Sequence, residues 1–106
     1  MPRYARSRPL PPAVQQLAEA LRANEARLAV ILDLLEHPNS TRIEIGERTD
    51  VPAHTVYQHL QALEQLGLAT ADVDAAVRHG RTVRYQINRS KLLNLIEVFS
   101  EYASKS

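Results

Sequence analysis

The chain has 106 residues, with 13 Lys and Arg against 12 Asp and Glu, four His and no Cys, for a formal net charge of +1. That length is one domain's worth and excludes, for the sequence given, a multi-domain enzyme; with 44% hydrophobic residues it can bury a core, though one modest enough for oligomerisation to be a common reinforcement. The missing cysteine excludes disulfide frameworks, thiolate zinc sites, iron–sulfur clusters and cysteine nucleophiles, and no apolar run approaches the roughly 18 residues of a transmembrane helix.

Residues 1–12 hold Pro2, Pro9, Pro11 and Pro12 and have little to bury, so they are expected to form a flexible arm. The opening Met1 to Arg6 is not followed by a signal-peptide-like apolar stretch, and a soluble cytoplasmic protein is expected. From Ala13 the period turns helical, with Val14, Leu17, Leu21 and Leu28 on one face, and Pro11-Pro12 is compatible with a helix start. Asn24 can cap a second helix, whose Leu28, Ile31, Leu32 and Leu35 define a buried face until His37-Pro38-Asn39 ends it. Ser40 is expected to open a short third helix through Thr49, with Glu44 near its start and Ile43 and Ile45 as its apolar residues. Asp50-Val51-Pro52 breaks the pattern. Pro52 suits the first turn of a fourth helix, residues 53–66, in which Val56, Leu60 and Leu63 face inward and which Gly67 stops.

After Leu68 the period changes. Thr82 to Ile87 alternates, with Val83, Tyr85 and Ile87 on one face, and reads as a half-buried strand; His79-Gly80 marks a turn and Ala69 to Val77 is the expected opposing strand. Ser90 is expected to cap a last helix, whose Leu92, Leu95, Ile96, Phe99 and Ala103 form one stripe that Val98 and Tyr102 widen. The expected architecture over residues 13–103 is mainly α with a small β-hairpin: five helices and a two-stranded wing.

Charge is unevenly spread along these elements. Residues 1–12 carry Arg3, Arg6 and Arg8 and no acid, residues 13–77 are net acidic, and residues 78–91 carry Arg78, Arg81, Arg84, Arg89 and Lys91 with no acid. Two positive segments on an acidic body suit a polyanion partner, because phosphate contacts supply most non-specific affinity for nucleic acid. Such runs are also often simply solvated surface.

Ser40 to Leu68 has the proportions of a helix-turn-helix, in which the second helix enters the major groove of double-stranded DNA. With Val56, Leu60 and Leu63 inward, helical geometry turns Ala53, His54, Thr55, Tyr57, Gln58 and Gln61 outward, and none of these is charged. Gln58 and Gln61 can pair with adenine edges, Thr55 can meet a thymine methyl, and His54 and Tyr57 can bond bases or phosphates. Affinity would then come from Arg78, Arg81 and Arg84 on the wing, with Thr41 and Arg42 at the start of the third helix. Arg81, beside the tight turn, is the leading candidate for the minor groove, and Arg3, Arg6 and Arg8 offer a second arm of that kind.

The run Val56-Tyr57-Gln58-His59-Leu60-Gln61-Ala62-Leu63-Glu64-Gln65-Leu66-Gly67-Leu68, followed by Gly80-Arg81-Thr82-Val83-Arg84-Tyr85-Gln86-Ile87-Asn88, resembles the ArsR-type winged helix-turn-helix regulators over about residues 25–103. The resemblance implies a homodimeric repressor on a pseudo-palindromic operator, with the first and last helices as the dimer interface; Val14, Leu17, Leu21, Leu95, Phe99 and Tyr102 are the residues so placed. The apolar excess of the last helix favours a partner surface on its own account. A bacterial or archaeal protein of this kind would be associated with the nucleoid.

The sequence also departs from that pattern. The family's metal sensors place cysteines in the short third helix, or Asp and His ligands in the last, and this chain has no cysteine and no histidine from Lys91 to Tyr102, so no metal or other cofactor is expected. Gly46 stands where alanine is frequent, Tyr57 where a small hydroxyl residue is, and the stretch from Leu68 to Gly80 is longer. Of the histidines, His59 is expected to be packed, His37 to sit at a helix end and His79 in the wing turn, and no pair has ligand spacing with a carboxylate partner. No phosphate loop, nucleophile elbow or His-carboxylate cluster points to an enzyme. The competing reading is a winged helix whose uncharged fourth helix binds protein.

Overall fold

The computed structural model describes residues 25–104. The basic arm, Asn24 and the expected first helix with Val14, Leu17 and Leu21 lie outside the described residues. Within them the chain forms four α-helices, where five were expected for the longer span: α1 (Glu25–Glu36), α2 (Arg42–Thr49), α3 (Ala53–Gln65) and α4 (Arg89–Ser104). Strands β1 (Ala69–Ala71) and β2 (Tyr85–Ile87) pair antiparallel between α3 and α4, with Ala69 opposite Ile87 and Ala71 opposite Tyr85.

Val56, Leu60 and Leu63 of α3 form the core where the periodicity places them, with Ile45 of α2, Val51, Leu68, Tyr85 and Ile87. In α1 the buried face is turned from the expected one: Leu28 is buried, but Ala26, Val30 and Leu34 enter the core and the expected Ile31, Leu32 and Leu35 are half-buried, because α1 is apolar around most of its circumference and its period leaves the inward side open. Ile43 departs from expectation at 57% exposure, because only one of two isoleucines two residues apart can face the core of a helix as short as α2. An ion pair between buried Asp33 and half-buried Arg48 locks the frame: the Arg48 guanidinium donates to both carboxylate oxygens of Asp33 in α1 at 2.8–3.1 Å and to Ser40 Oγ at 2.6 Å.

That engagement of Ser40 corrects the expected helix start. The cap of α2 is Thr41: its Oγ1 accepts from the Glu44 amide while Glu44 Oε1 accepts from the Thr41 amide, a capping box. Ser40 lies three residues from Ile43, which cannot complete such a box, and its hydroxyl donates instead to the His37 carbonyl. The last helix is corrected in the same way. Asn88 Oδ1 accepts from the Lys91 amide and from Ser90 Oγ, so Asn88, ahead of Arg89, takes the capping role expected of Ser90.

The hairpin is shorter than its alternation suggests. Asp74 accepts from the Ala76 amide and turns Ala75–Val77 into a 3-10 turn, which takes Val77 out of the expected strand. Asp72 Oδ1 accepts from the Arg84 amide, and the Asp72 amide donates to the Arg84 carbonyl, closing the hairpin beyond the last strand pair. On its other side β2 meets the segment before α2: the Tyr85 amide donates to the Ser40 carbonyl and the Asn39 amide to the Tyr85 carbonyl, both at 2.9 Å. The connection between α1 and α2 therefore hangs from the same sheet as the wing. Gly80, at φ 72°, sits in the wing turn as expected.

Candidate nucleic-acid interface

Helix α3 presents its polar face as the sequence predicts. His54, Gln58 and Gln61 are exposed, Ala53, Thr55 and Tyr57 are half-buried, and the buried side belongs to Val56, His59, Leu60 and Leu63. Two neighbours shape this face. Gln61 Nε2 donates to the Tyr57 hydroxyl at 3.0 Å, and the Arg42 guanidinium lies over the Tyr57 ring, 5.4 Å from its centre. Tyr57 thus links α3 to the start of α2.

The basic residues divide by what they touch. Arg42 and Arg81 are exposed, and no ion pair or side-chain hydrogen bond holds either to another described residue. Arg84 is exposed and leans on the α2 segment, donating to the Asn39 carbonyl at 3.0 Å and facing Glu44 at 3.5 Å. Thr41 keeps its hydroxyl for the capping box. Arg78 is placed differently from expectation: its two terminal nitrogens donate to the two carboxylate oxygens of Glu64 at 2.9 and 2.7 Å, and its Nε donates to the Val73 carbonyl. The Glu64 carboxylate holds the Arg78 pKa above its ordinary value, and the guanidinium faces the protein.

Arg42, Tyr57, Arg78, Arg81 and Thr82 line an open cleft of about 770 Å³ between α2, α3 and the wing. It brings together residues from three separated stretches of sequence. Glu64 is the residue that sequence reasoning overlooked. Its signal was an acid in the last turn of a helix, where the exposed carbonyl ends favour a base.

His59 is packed, as expected. It is buried in α3, with Nδ1 accepting from Arg27 Nε of α1 at 3.3 Å, and burial, with Arg27 next, pushes its pKa below the ordinary 6.5. His37 and His79 are exposed. Among the described residues no group of three or more His, Asp or Glu could hold a metal ion, and no helix is long and apolar enough to cross a membrane. Leu93, Leu95, Ile96 and Val98 of α4 are all at least 41% exposed in the single chain.

Residues 20–87 match the model of the family described as sugar-specific transcriptional regulator TrmB. The chain belongs to the TrmB family. The family is one of transcriptional regulators and not of enzymes. The match is to TrmB rather than to the ArsR-type regulators that the residue skeleton resembles, and the two have in common the winged-helix regulator class.

Solved structures share the fold of this TrmB-family chain. A predicted DNA-binding transcriptional regulator from E. coli is 22% identical with a TM-score of 0.57, over 85% of this chain and 92% of that one. A possible transcriptional regulator from Methanosarcina mazei Go1 is 16% identical with a TM-score of 0.65, over 88% and 81%. A mutant of MepR from S. aureus, bound to an oligodeoxyribonucleotide, is 21% identical with a TM-score of 0.61, over 88% of this chain and 67% of that one. No curated protein matches the chain.

Proposed function

We propose that the protein is a dimeric, sequence-specific repressor that reads a pseudo-palindromic operator in double-stranded DNA. The observation that carries this reading is the pairing of an uncharged, hydrogen-bonding face on α3 with the exposed Arg42 and Arg81, which line the same cleft as Tyr57 of that helix. The polar face supplies base contacts and the two arginines supply phosphate contacts, a division typical of specific complexes. Thr55, Gln58 and Gln61 read bases, with Ala53, His54 and Tyr57 at the groove edge. Arg81 enters the minor groove, and Arg84 and Thr41 lie beside the backbone. The family membership and the MepR complex with an oligodeoxyribonucleotide support the same partner.

Two copies joined through α4, whose Leu95 is 44% exposed, would set their α3 helices in successive major grooves about 34–36 Å apart. Selection of bound duplexes from a random pool, repeated over a salt series, tests the proposal. A two-fold symmetric enriched site with a steep salt dependence supports it. No enrichment, with binding that vanishes near physiological salt, favours the protein-binding reading that the uncharged α3 face also permits. A sugar is the first effector to add to such an assay, since the family is described as sugar-specific.

A further inference from the structure

We propose that Glu64 and Arg78 form a clamp that fixes the wing against α3, and that Glu64, an acid, is a positioning residue for DNA binding. The proposal rests on the reading that α3 and the wing grip one duplex.

Four observations lead to it. Glu64 lies in the last turn of α3, where the helix dipole disfavours an acid and no base is present to offset it, so its place there is explained by a partner outside the helix. That partner meets it in the fork-to-fork geometry that makes Arg–carboxylate pairs directional, at 2.9 and 2.7 Å. The pair is largely withdrawn from water, with side-chain exposures of 18% for Arg78 and 23% for Glu64, so salt screens it less than a surface pair. The same guanidinium also donates to the Val73 carbonyl and lies 6.0 Å from the centre of the Tyr85 ring, so one side chain joins the end of α3, the outgoing limb of the wing and β2.

Apart from Val83, half-buried against the core on the returning limb, little else holds the middle of the wing. Its strand pairing ends at Ala71 and Tyr85, the Asp72–Arg84 bonds close only its base, and Ala75, Ala76 and Val77 are exposed. Arg81 lies three residues beyond Arg78, with its amide bonded to the Arg78 carbonyl. The clamp therefore sets where the Arg81 guanidinium stands relative to Gln58 and Gln61. On this account Arg78 acts through position and touches no phosphate.

Charge alone and the clamp make opposite forecasts for one substitution. Removing an acid from a DNA-binding face tightens binding if only charge matters. With the clamp, Glu64→Ala and Arg78→Ala each weaken affinity for the selected duplex about tenfold and raise amide exchange of residues 77–83 in the DNA-free protein by a similar factor. Both leave the salt slope as in the parent, because neither side chain releases a counterion. The exchanged pair, Glu64→Arg with Arg78→Glu, regains most of the affinity and the protection of the wing.

Tighter binding by Glu64→Ala overturns the proposal, as does wing exchange unchanged in both single variants or an exchanged pair no better than either. If the parent protein selects no duplex, the DNA reading fails and Glu64's part in it with it. The exchange data, taken without DNA, still decide whether the clamp itself holds the wing.

Discussion

His59 shows how much a single buried side chain commits. Its Nδ1 must be unprotonated to accept from Arg27, and burial, then the nearby positive charge, lowers its pKa from the ordinary 6.5. The unfolded chain therefore takes up the proton first as pH falls. Stability from the neutral ring is complete above about pH 6.5, declines below it, and levels off once the folded state is also protonated. Thermal melting at about pH 7.5 and pH 5.5 should show a fall for the parent protein and a smaller fall for His59→Gln; equal falls would remove His59 from the account. Gly46 carries a different constraint. A Cβ there would stand 2.8 Å from the Val51 carbonyl oxygen, in the close crossing between α2 and the start of α3. Gly46→Ala is expected to cost about 1–2 kcal/mol in urea unfolding, despite alanine's better helix propensity, and a stabilised variant would show that the crossing can relax.

At the scale of elements, α3 and the wing have separate tasks under the proposed function. Gln58→Ala should lose roughly 1–3 kcal/mol of discrimination between the selected site and unrelated duplex while leaving non-specific binding intact. Arg81→Ala should weaken binding to all duplexes and lower the salt slope by about one. Filter binding against matched and scrambled sites separates the two, and identical behaviour of both variants would dissolve the division. Helical elements were legible in the sequence because their signals are local: Val56, Leu60 and Leu63 repeat on one face and Gly67 ends the run. The capping box was misread by one residue, because Ser40, next to Thr41, carries an equally good capping side chain. The wing was read less well. Its shape depends on Asp72, Asp74 and Glu64 bonding to groups elsewhere in the chain, and alternation of apolar residues carries no record of those partners.

For the whole molecule, the exposed leucines and isoleucine of α4 are the feature that the packing of the described residues leaves unexplained. Leu95→Asp places a charge on a side chain 44% exposed in the monomer, so the fold should survive the substitution. Sedimentation should then find a folded monomer where the parent sediments as a dimer, and an unchanged dimer would move the interface off this helix. The sequence announced the apolar excess of α4 directly. The candidate DNA face was legible only residue by residue, since the cleft is assembled from the start of α2, one turn of α3 and the tip of the hairpin. Which of its arginines are exposed and which are occupied is a fact of folding, and charge counting could not tell that Arg78 is bonded to Glu64.

The bridge between Ser40 and Tyr85 gives β2 a second backbone neighbour at its first residue, on the side away from β1. The three residues of β2, apolar enough to make a sticky strand, thereby keep only a short stretch of open edge. The remaining edges are the three residues of β1 and the short Asn39–Ser40 segment, brief templates of the kind that proteins use to discourage strand addition. The sheet thus offers a neighbouring copy little edge along which to extend it.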